Sequence, residues 1–406
     1  MSANTNGKTL AALFRRGGEY VGIWLDYGNG KAEITIEREA PERPIAGALL
    51  GRTEPYWNPS GEGRVIRFGP AASGLFQAGA FDIETFGEKI MAIRPLYDYK
   101  GSRVLRNMVG RKVDEALVLL ERAGGFPVTY AVAFARAVED GVSEEGVRVR
   151  RALLELERLH NHLHSVRKLA GDASQKVATM QFAAMEEKVL RAMAELTGHR
   201  YGAGAVRIGG FRLRDVSALE RLGDIEREFP GLEDELEDSK TFLDRLHRTC
   251  TLSRDDVLEL DSVGLAARGS GVPRDVRSFD PYYEGYRPVT EKEGDALARM
   301  LVMMDEIKHS LRIISETEIG SSEGRKDGSR EGLHMGFAEG PHGDVLVLVE
   351  VRDGRVRWIG VRGASRVNYV AFCRGITGNI FTDFPFGLHS FGMNFADAGL
   401  WQGGEE

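Results

Sequence analysis

Hydrophobic residues recur with a two-residue period near both ends of the chain and with a helical period between them. EYVGIWLDYGNGKAEITIE carries two alternating segments around Gly28-Asn29-Gly30, a pattern typical of a β-hairpin. A Pro/Gly-bearing stretch follows from Glu39 to about Pro70. Toward the other end, DVLVLVEVRDGRVRWIGV alternates in the same way and turns at Asp353-Gly354. These patterns predict antiparallel strands near both ends of the chain.

From about Thr85 to Glu316, apolar residues recur at three and four positions, which is the period of an amphipathic helix. The clearest segments are VGRKVDEALVLLER, RRALLELERLHNHLHSVRKL, SQKVATMQFAAMEEKVLRAMAEL and GDALARMLVMMDEIKHSLRIISE. A polar, glycine-rich loop, GSSEGRKDGSREG, follows at 320–332. The sequence therefore predicts an α+β protein: a β-rich segment at 1–80, a helical bundle core at 81–335, and a C-terminal β-hairpin and tail at 336–406 that packs on the bundle.

Composition narrows the classes of partner. The 406 residues are 42% hydrophobic, which is enough for a sizeable core, and the net charge is -7 with basic residues spread along the chain, so a nucleic-acid partner is not expected. Cys250 and Cys373 lie far apart without a CxxC motif, which favours a reducing cytoplasm. No apolar run approaches the roughly 18 residues that span a bilayer, so we expect membrane contact only through partners.

The stretch RRALLELERLHNHLH, residues 150–164, holds three of the nine histidines. At about 100° per residue the apolar side chains form one stripe toward the core, and polar side chains border it on two flanks. One flank carries His160, His164 and Glu157, and the other carries Glu155, Arg158 and His162. The first set has the helical spacing of metal ligands, although a further ligand is not evident. The alternative is that these residues are an ordinary polar border of an amphipathic helix. The second set is most simply a salt-bridged contact between helices.

Arg150, Glu155, Arg158 and His162-Leu163 also resemble the signature helix of a known family. It joins the large subunit of membrane-bound nickel-iron hydrogenases, including formate hydrogenlyase, with the 49 kDa subunit of NADH-quinone oxidoreductase, complex I. Further blocks resemble the family in order: FGEKIMAIRPLYDYKGSRVLRNMVGRKVDEALVLLERAGG, RIGGFRL, GLAARGSGVPRDVRSFDPYYEGY, GDALARMLVMMDEIKHSLRII and AEGPHGDVLVLVEVRDGRVRWIGVRGASRVNYV. The resemblance implies a nickel-iron hydrogenase large subunit-like fold.

The chain departs from that family at positions that carry chemistry. Where the hydrogenases place four cysteine ligands of nickel and iron, the resemblance puts Gly124, Pro127, Asn394 and Asp397. Because glycine and proline lack a side-chain donor, we expect no nickel-iron centre here. His342 replaces an arginine. Two smaller departures are Tyr99 at a usually basic position and Arg103 where glutamate is usual.

The quinone site of complex I is also altered. The resemblance implies a histidine in an HP-x-x-H segment and a tyrosine near position 124, whereas RFGPAASGLF contains no histidine. Hydrogen bonds to a quinone would then come from other side chains in blocks that converge on the same cavity. The candidates are Tyr130, His342, His389 and Asp397.

The resemblance therefore implies a 49 kDa subunit-like component of a membrane-bound oxidoreductase complex. We expect it to couple electron transfer from a small iron-sulfur subunit to a quinone or another acceptor, beside a membrane subunit of the proton-channel type, at the cytoplasmic face of the membrane. Because no GxGxxG or GxxxxGK[ST] motif occurs in a suitable context, NADH chemistry would belong to another subunit. Two alternatives remain: a catalytically inactive scaffold subunit and a histidine-based metalloenzyme.

Overall fold

The computed structural model describes residues 8–43, 57–71, 78–97, 103–320, 323–325 and 328–403. Tyr99 and part of the loop at 320–332 lie outside these ranges. The strands are β1 (Thr9–Arg16), β2 (Glu19–Asp26), β3 (Lys31–Glu37), β4 (Arg64–Phe68), β5 (Ala80–Phe86), β6 (Lys89–Leu96), β7 (Val206–Arg207), β8 (Gly210–Arg212), β9 (Glu323–Arg325), β10 (Gly332–Gly340), β11 (Gly343–Arg352), β12 (Arg355–Arg362) and β13 (Gln402–Gly403).

The α-helices among the described residues are α1 (Val104–Met108), α2 (Val113–Leu120), α3 (Pro127–Val138), α4 (Glu144–Asp172), α5 (Lys176–Thr197), α6 (Gly223–Glu237), α7 (Lys240–Leu246), α8 (Arg254–Glu259), α9 (Gly264–Arg268), α10 (Ala296–Ser315), α11 (Ala364–Ile376), α12 (Phe384–Ser390) and α13 (Phe395–Gly399). Short 3-10 turns connect several of them. The predicted mixture of helices and sheet is confirmed.

Two antiparallel sheets, β1-β2-β3 and β4-β5-β6, form the N-terminal part. The predicted hairpin is confirmed between β2 and β3, where the Asp26 carboxylate accepts hydrogen bonds from the backbone N–H groups of Gly28 and Asn29. The side-chain amide of Asn29 donates to the same carboxylate, so Asp26 stabilises the turn through both backbone and side-chain hydrogen bonds. Strands β5 and β6 continue sheet structure to Leu96, and the first described helix begins at Val104.

All four segments predicted as helical from their period contain helices, namely α2, α4, α5 and α10. The longest is α4, whose N-cap Ser143 accepts a hydrogen bond from the backbone N–H of Gly146. It packs against α5 and α10, so both of its polar flanks face protein. Helix α3 is buried on nearly every side and lies under β10, where a Cβ on Gly336 would come within 2.1 Å of the Ala133 carbonyl oxygen.

The C-terminal sheet has the order β10-β11-β12-β13 and is antiparallel. The predicted turn between β11 and β12 is confirmed, and Asp353 and Gly354 both adopt positive φ, as a type I′ turn requires. The tail then folds back: α12 packs on α4 and α13 packs on α11. This return brings residues near 395 to the start of α3, where the candidate site lies. Among the described residues, no helix has the length and apolarity needed to cross a bilayer.

Candidate functional site

Helix α4, which resembles the signature helix of a known family, contributes one of its polar flanks to a buried network of charges. Arg158 Nε lies 3.2 Å from Glu155 Oε2, and the other guanidinium nitrogens of Arg158 donate to the carbonyls of Glu339 and Gly340. His162 Nε2 lies 2.7 Å from Glu306 of α10. Glu155, Arg158 and His162 therefore join α4 to α10 and to the end of β10. This arrangement agrees with the structural interpretation of their spacing, a packing contact between helices.

The network continues through two fully buried arginines, Arg268 and Arg277. Arg277 contacts Asp275 and Glu306, each at 2.6 Å, and Arg268 contacts Glu339 at 2.8 Å. Burial, reinforced by the negative charge of Asp275, raises the pKa of Glu339 to about 8. The positive charge of Arg268, which donates to the Glu339 carboxylate, opposes this rise in pKa.

A second buried group lies at the start of α3 and joins three of the four predicted cavity residues. The Asp397 carboxylate accepts hydrogen bonds from the Tyr130 hydroxyl, from His342 Nε2 at 2.9 Å and from the Ser365 backbone N–H at 2.6 Å. Tyr130, His342 and Asp397 are each 0% exposed. We call these three residues the buried triad. Within the described part of the chain, His342 Nδ1 has no hydrogen-bond partner.

The electrostatics of the buried triad favour an ionised Asp397. Burial alone would raise its pKa, but the interaction with His342 and the hydrogen bonds from His342, Tyr130 and Ser365 lower it overall. Burial and the negative charge of Asp397 raise the pKa of Tyr130 well above its usual value. The phenol is therefore a hydrogen-bond donor that keeps its proton at physiological pH.

The space beside Gly124 is filled by the buried triad. A Cβ on Gly124 would lie 2.0 Å from Cε2 of Tyr130, and a Cβ on Gly363 would lie 1.9 Å from Oδ1 of Asp397. Gly124 and Pro127 offer no donor atom, and Asp397 is already committed to three hydrogen bonds. A nickel-iron centre needs soft thiolate ligands and room for them, so these residues do not fit one.

A cavity of about 430 Å³ opens next to the buried triad. Phe126 separates the two: its ring lines the cavity and packs against the His342 ring with centroids 4.5 Å apart. Pro127 and Asn394, two of the positions where the resemblance implies cysteines, also line the cavity. The buried triad thus lies behind the cavity wall, and its side chains do not line it.

The other wall of the cavity carries histidines of the first flank of α4. Both histidines face Glu186 of α5: His160 Nε2 lies 3.6 Å and His164 Nδ1 lies 2.9 Å from Glu186 Oε1. Arg167 Nε donates to the other carboxylate oxygen, Oε2, at 2.8 Å. Burial would raise the pKa of Glu186, but hydrogen bonds from both histidines and the charge of Arg167 lower it strongly. Burial lowers the pKa of His164, while Glu186 opposes that shift. Glu186 is therefore ionised at neutral pH and places a negative charge at the edge of the cavity.

Glu157 is directed away from His160 and His164. Its carboxylate accepts hydrogen bonds from the backbone N–H groups of Val128 and Thr129 and from the Thr129 hydroxyl, so it caps α3. Burial raises its pKa to about 7 despite these hydrogen bonds. The set predicted as a metal alternative is therefore not assembled around one point. Across the described ranges, no group of three or more His, Cys, Asp or Glu side chains is arranged to hold a metal ion.

Comparison with known proteins shows which proteins the chain resembles. A sequence profile described as "Respiratory-chain NADH dehydrogenase, 49 Kd subunit" matches residues 174–325. The membrane-bound hydrogenase subunit alpha of Pyrococcus furiosus is 27% identical over 365 residues, which cover 80% of this chain and 84% of that protein. The D subunit of the NADH-quinone oxidoreductase of Thermosipho melanesiensis is 26% identical over 326 residues, covering 76% and 88%. The chain is similar to both the 49 kDa subunits and the hydrogenase large subunits over most of its length.

One further relative and one solved structure extend the comparison, the structure for the fold alone. The mitochondrial NADH-ubiquinone oxidoreductase 49 kDa subunit of Neurospora crassa is 32% identical over 299 residues, covering 68% of this chain and 59% of that protein. A chain from a structure of the membrane-bound sulfane sulfur reductase, an archaeal respiratory membrane complex, aligns with a TM-score of 0.76 at 20% identity, over 84% of this chain and all of that one. The predicted hydrogenase large subunit-like fold is confirmed.

The remaining sequence candidates lie apart from the buried triad. His389 is buried in α12, where its Nδ1 pairs with Asp172 at the end of α4. Arg103 is exposed just before α1. In contrast, Glu186, His199 and Tyr201 line the cavity, although no motif drew attention to them. The turn GHRYGAG after α5, which is rich in glycine and aromatic or basic residues, was the available signal for His199 and Tyr201.

Proposed function

We propose that this chain is a subunit of a membrane-bound respiratory-type oxidoreductase complex and that it works without a nickel-iron centre of its own. The observation that carries the proposal is the buried triad, which fills the space beside Gly124 while the adjoining cavity stays open. Named relatives in both branches of the family are subunits of such assemblies. By analogy we place the chain at the cytoplasmic face, attached through a small iron-sulfur subunit and a membrane subunit of the proton-channel type.

The cavity is the proposed site of the electron acceptor, which we take to be a quinone headgroup. Phe126, Pro127 and Met393 give it apolar wall, and His160, Asn161 and Asn394 offer hydrogen-bond donors. These side chains fit a flat ring that carries carbonyl oxygens. A bound quinone accepts two electrons, supplied by the iron-sulfur partner, and two protons. His160 can deliver one of these protons, because an imidazole beside the charged Glu186 can accept and donate a proton, and water in the open cavity supplies the other.

Tyr130 and His342 take a different role in this proposal from the one their sequence positions predict. Because Phe126 lies between His342 and the cavity, the buried triad supports the cavity wall and does not touch the acceptor. Tyr130, His342 and Asp397 are therefore positioning residues, which hold the start of α3 against the tail helix α13.

The test uses the complex isolated from its native membrane through a tag on this chain. We expect an iron-sulfur protein to copurify in stoichiometric amount and His160→Gln to raise the KM for a short-chain quinone several-fold. His334→Gln is the matched control, because His334 is a half-buried histidine of β10 that does not line the cavity. If the complex assembles but reduces no acceptor, and cavity variants change nothing, the chain is a scaffold and the proposal is wrong.

A further inference from the structure

Four arginines lie together at the edge of the C-terminal sheet, remote in sequence from the cavity residues. Arg106 belongs to α1, Arg352 ends β11, and Arg355 and Arg357 lie on β12. All four are exposed. They line two adjoining depressions of about 560 and 420 Å³, which share Val109 and Arg357. We call this surface, defined by the four arginines, the arginine groove.

The arginines of the groove form no ion pair among the described residues, and Arg355 donates only to the carbonyl of Gly110. Elsewhere on the surface, many cations have a carboxylate partner: Lys188 with Glu228, Arg191 and Arg200 with Glu187, Arg221 with Glu195, Arg227 with Asp224, and Lys308 with Glu233. In a chain of net charge -7, the four arginines of the groove thus place unpaired positive charge around two adjoining depressions. This contrast indicates an anionic ligand.

The wall of the groove also contains a buried indole whose donor is unpaired. Trp358 contributes to the wall, is only 3% exposed and packs edge-on against Phe14. Its indole Nε1–H has no hydrogen-bond acceptor within the described ranges. A buried indole N–H usually finds a partner. Because Trp358 lies on the face of β12 opposite to Arg355 and Arg357, this donor is out of reach of a ligand that those guanidinium groups hold.

The spacing of the arginines favours an extended peptide. On β12, Arg355 and Arg357 are exposed and Val356 and Trp358 are buried, so both guanidinium groups leave the same face. Residues two apart on a strand are separated by about 6.6 Å, and alternate side chains of an extended peptide have the same separation. Carboxylates at alternate peptide positions would therefore match this pair in register.

The acidic residues of the rim argue against a continuous polyanion. Glu19 and Asp353 border the two depressions, and Glu350 is paired with Arg16. A peptide with spaced carboxylates can leave these positions free, whereas an unbroken phosphate backbone would pass close to them. A flat bilayer surface would touch only the rim of a concave groove. We propose that the arginine groove docks an acidic, extended segment of a partner protein. This inference goes beyond the proposed function and does not use the cavity.

The direct test is fluorescence anisotropy with the purified full-length chain and a labelled peptide of about ten alternating Glu and Ser residues. We expect saturable binding that weakens as salt rises from about 50 to about 300 mM, because screening shortens the reach of exposed charges. The double variant Arg355→Gln/Arg357→Gln should bind about tenfold more weakly. Arg191→Gln/Arg227→Gln is the control, since both arginines are exposed but lie elsewhere and are paired.

Two results would overturn the inference. One is equal peptide affinity in the groove variant and the control, with circular dichroism melts showing that both are folded. The other is that the chain does not bind the peptide but does bind phosphatidylcholine vesicles that contain about one third phosphatidylglycerol, and loses this binding in the groove variant. That result would assign the groove to a membrane surface. The peptide assay uses no electron acceptor, so it is independent of the proposed function. If the complex is inactive but the chain still binds the peptide, the proposed function is wrong and this inference holds.

Discussion

The phenol ring of Tyr130 occupies the space that a side chain on residue 124 would need. A Cβ built on Gly124 would lie 2.0 Å from Cε2 and 2.4 Å from Cζ of that ring. The hydroxyl of the same ring donates to Asp397, which accepts a further hydrogen bond from His342. Two of the four positions where the resemblance implies cysteine ligands are thus joined by one tyrosine. Hydrogen bonding and packing therefore occupy both positions.

Adding a methyl group at position 124 tests this packing. Gly124→Ala should destabilise the chain by about 1–3 kcal/mol, because the Tyr130 ring is enclosed and cannot move aside freely. Gly231→Ala in α6 is the matched control: nothing lies within 4 Å of its added Cβ, and alanine favours a helix by up to about 1 kcal/mol. Urea unfolding of both variants measures the difference. Equal midpoints would show that the ring does not restrict position 124.

Removing the Tyr130 hydroxyl tests the hydrogen bonds of Asp397. Tyr130→Phe should cost about 1–3 kcal/mol, because it removes one donor from a buried carboxylate. The pKa of Asp397 is lowered in the folded protein, so its contribution is present above the unfolded pKa near 4 and is lost as pH falls through the folded value. Without the Tyr130 hydroxyl that pKa rises, and acid unfolding should begin at higher pH. Tyr201→Phe, at a 46% exposed ring, should leave the acid midpoint unchanged.

Glu157 should make the stability of the chain depend on pH in the opposite direction to Asp397. Burial raises its folded-state pKa from 4.5 to about 7, so the stability it contributes is full below pH 4.5 and is lost as pH rises through 7. The loss amounts to about 3 kcal/mol. Glu157→Gln should remove this slope in urea unfolding between the two pH values, whereas the partly exposed control Glu187→Gln should keep it. A slope that persists in Glu157→Gln would contradict the assignment.

The Glu186 carboxylate should control the titration of His164 at the cavity edge. Burial lowers the pKa of His164, and the hydrogen bond and charge of Glu186 partly offset that shift. Glu186→Gln should therefore lower the pKa of His164 further. NMR titration of a histidine-labelled chain measures it, with Glu187→Gln as the neighbouring control. An unchanged or higher pKa would show that Glu186 does not stabilise the imidazolium.

Periodicity was a sufficient guide to the elements whose two faces differ. The hairpins at Gly28-Asn29-Gly30 and Asp353-Gly354 and the helices α4 and α10 carry a period of hydrophobic residues and clear turn residues in the sequence, so the sequence alone predicts them. Helix α3 was not among the predictions because it is apolar nearly all round. A helix that is buried on every side carries no face pattern to detect.

The candidate site was predictable only in part. The resemblance selected Tyr130, His342, His389 and Asp397, and the structure brings together all of them except His389, which pairs with Asp172. It could not indicate that Phe126 seals them from the cavity, because that depends on the packing of α3 against the tail. Likewise, the pairing of His160 and His164 with Glu186 depends on how α4 meets α5, which the period of either helix leaves open.

Metal analysis of the complex isolated through a tag on this chain decides whether the protein works without nickel. We expect iron in stoichiometric amount from the copurifying iron-sulfur partner and no nickel above background, because Gly124 and Pro127 offer no ligand and Asp397 is held by Tyr130 and His342. About one nickel per chain in an active complex, lost together with activity in Asp397→Asn, would contradict this expectation.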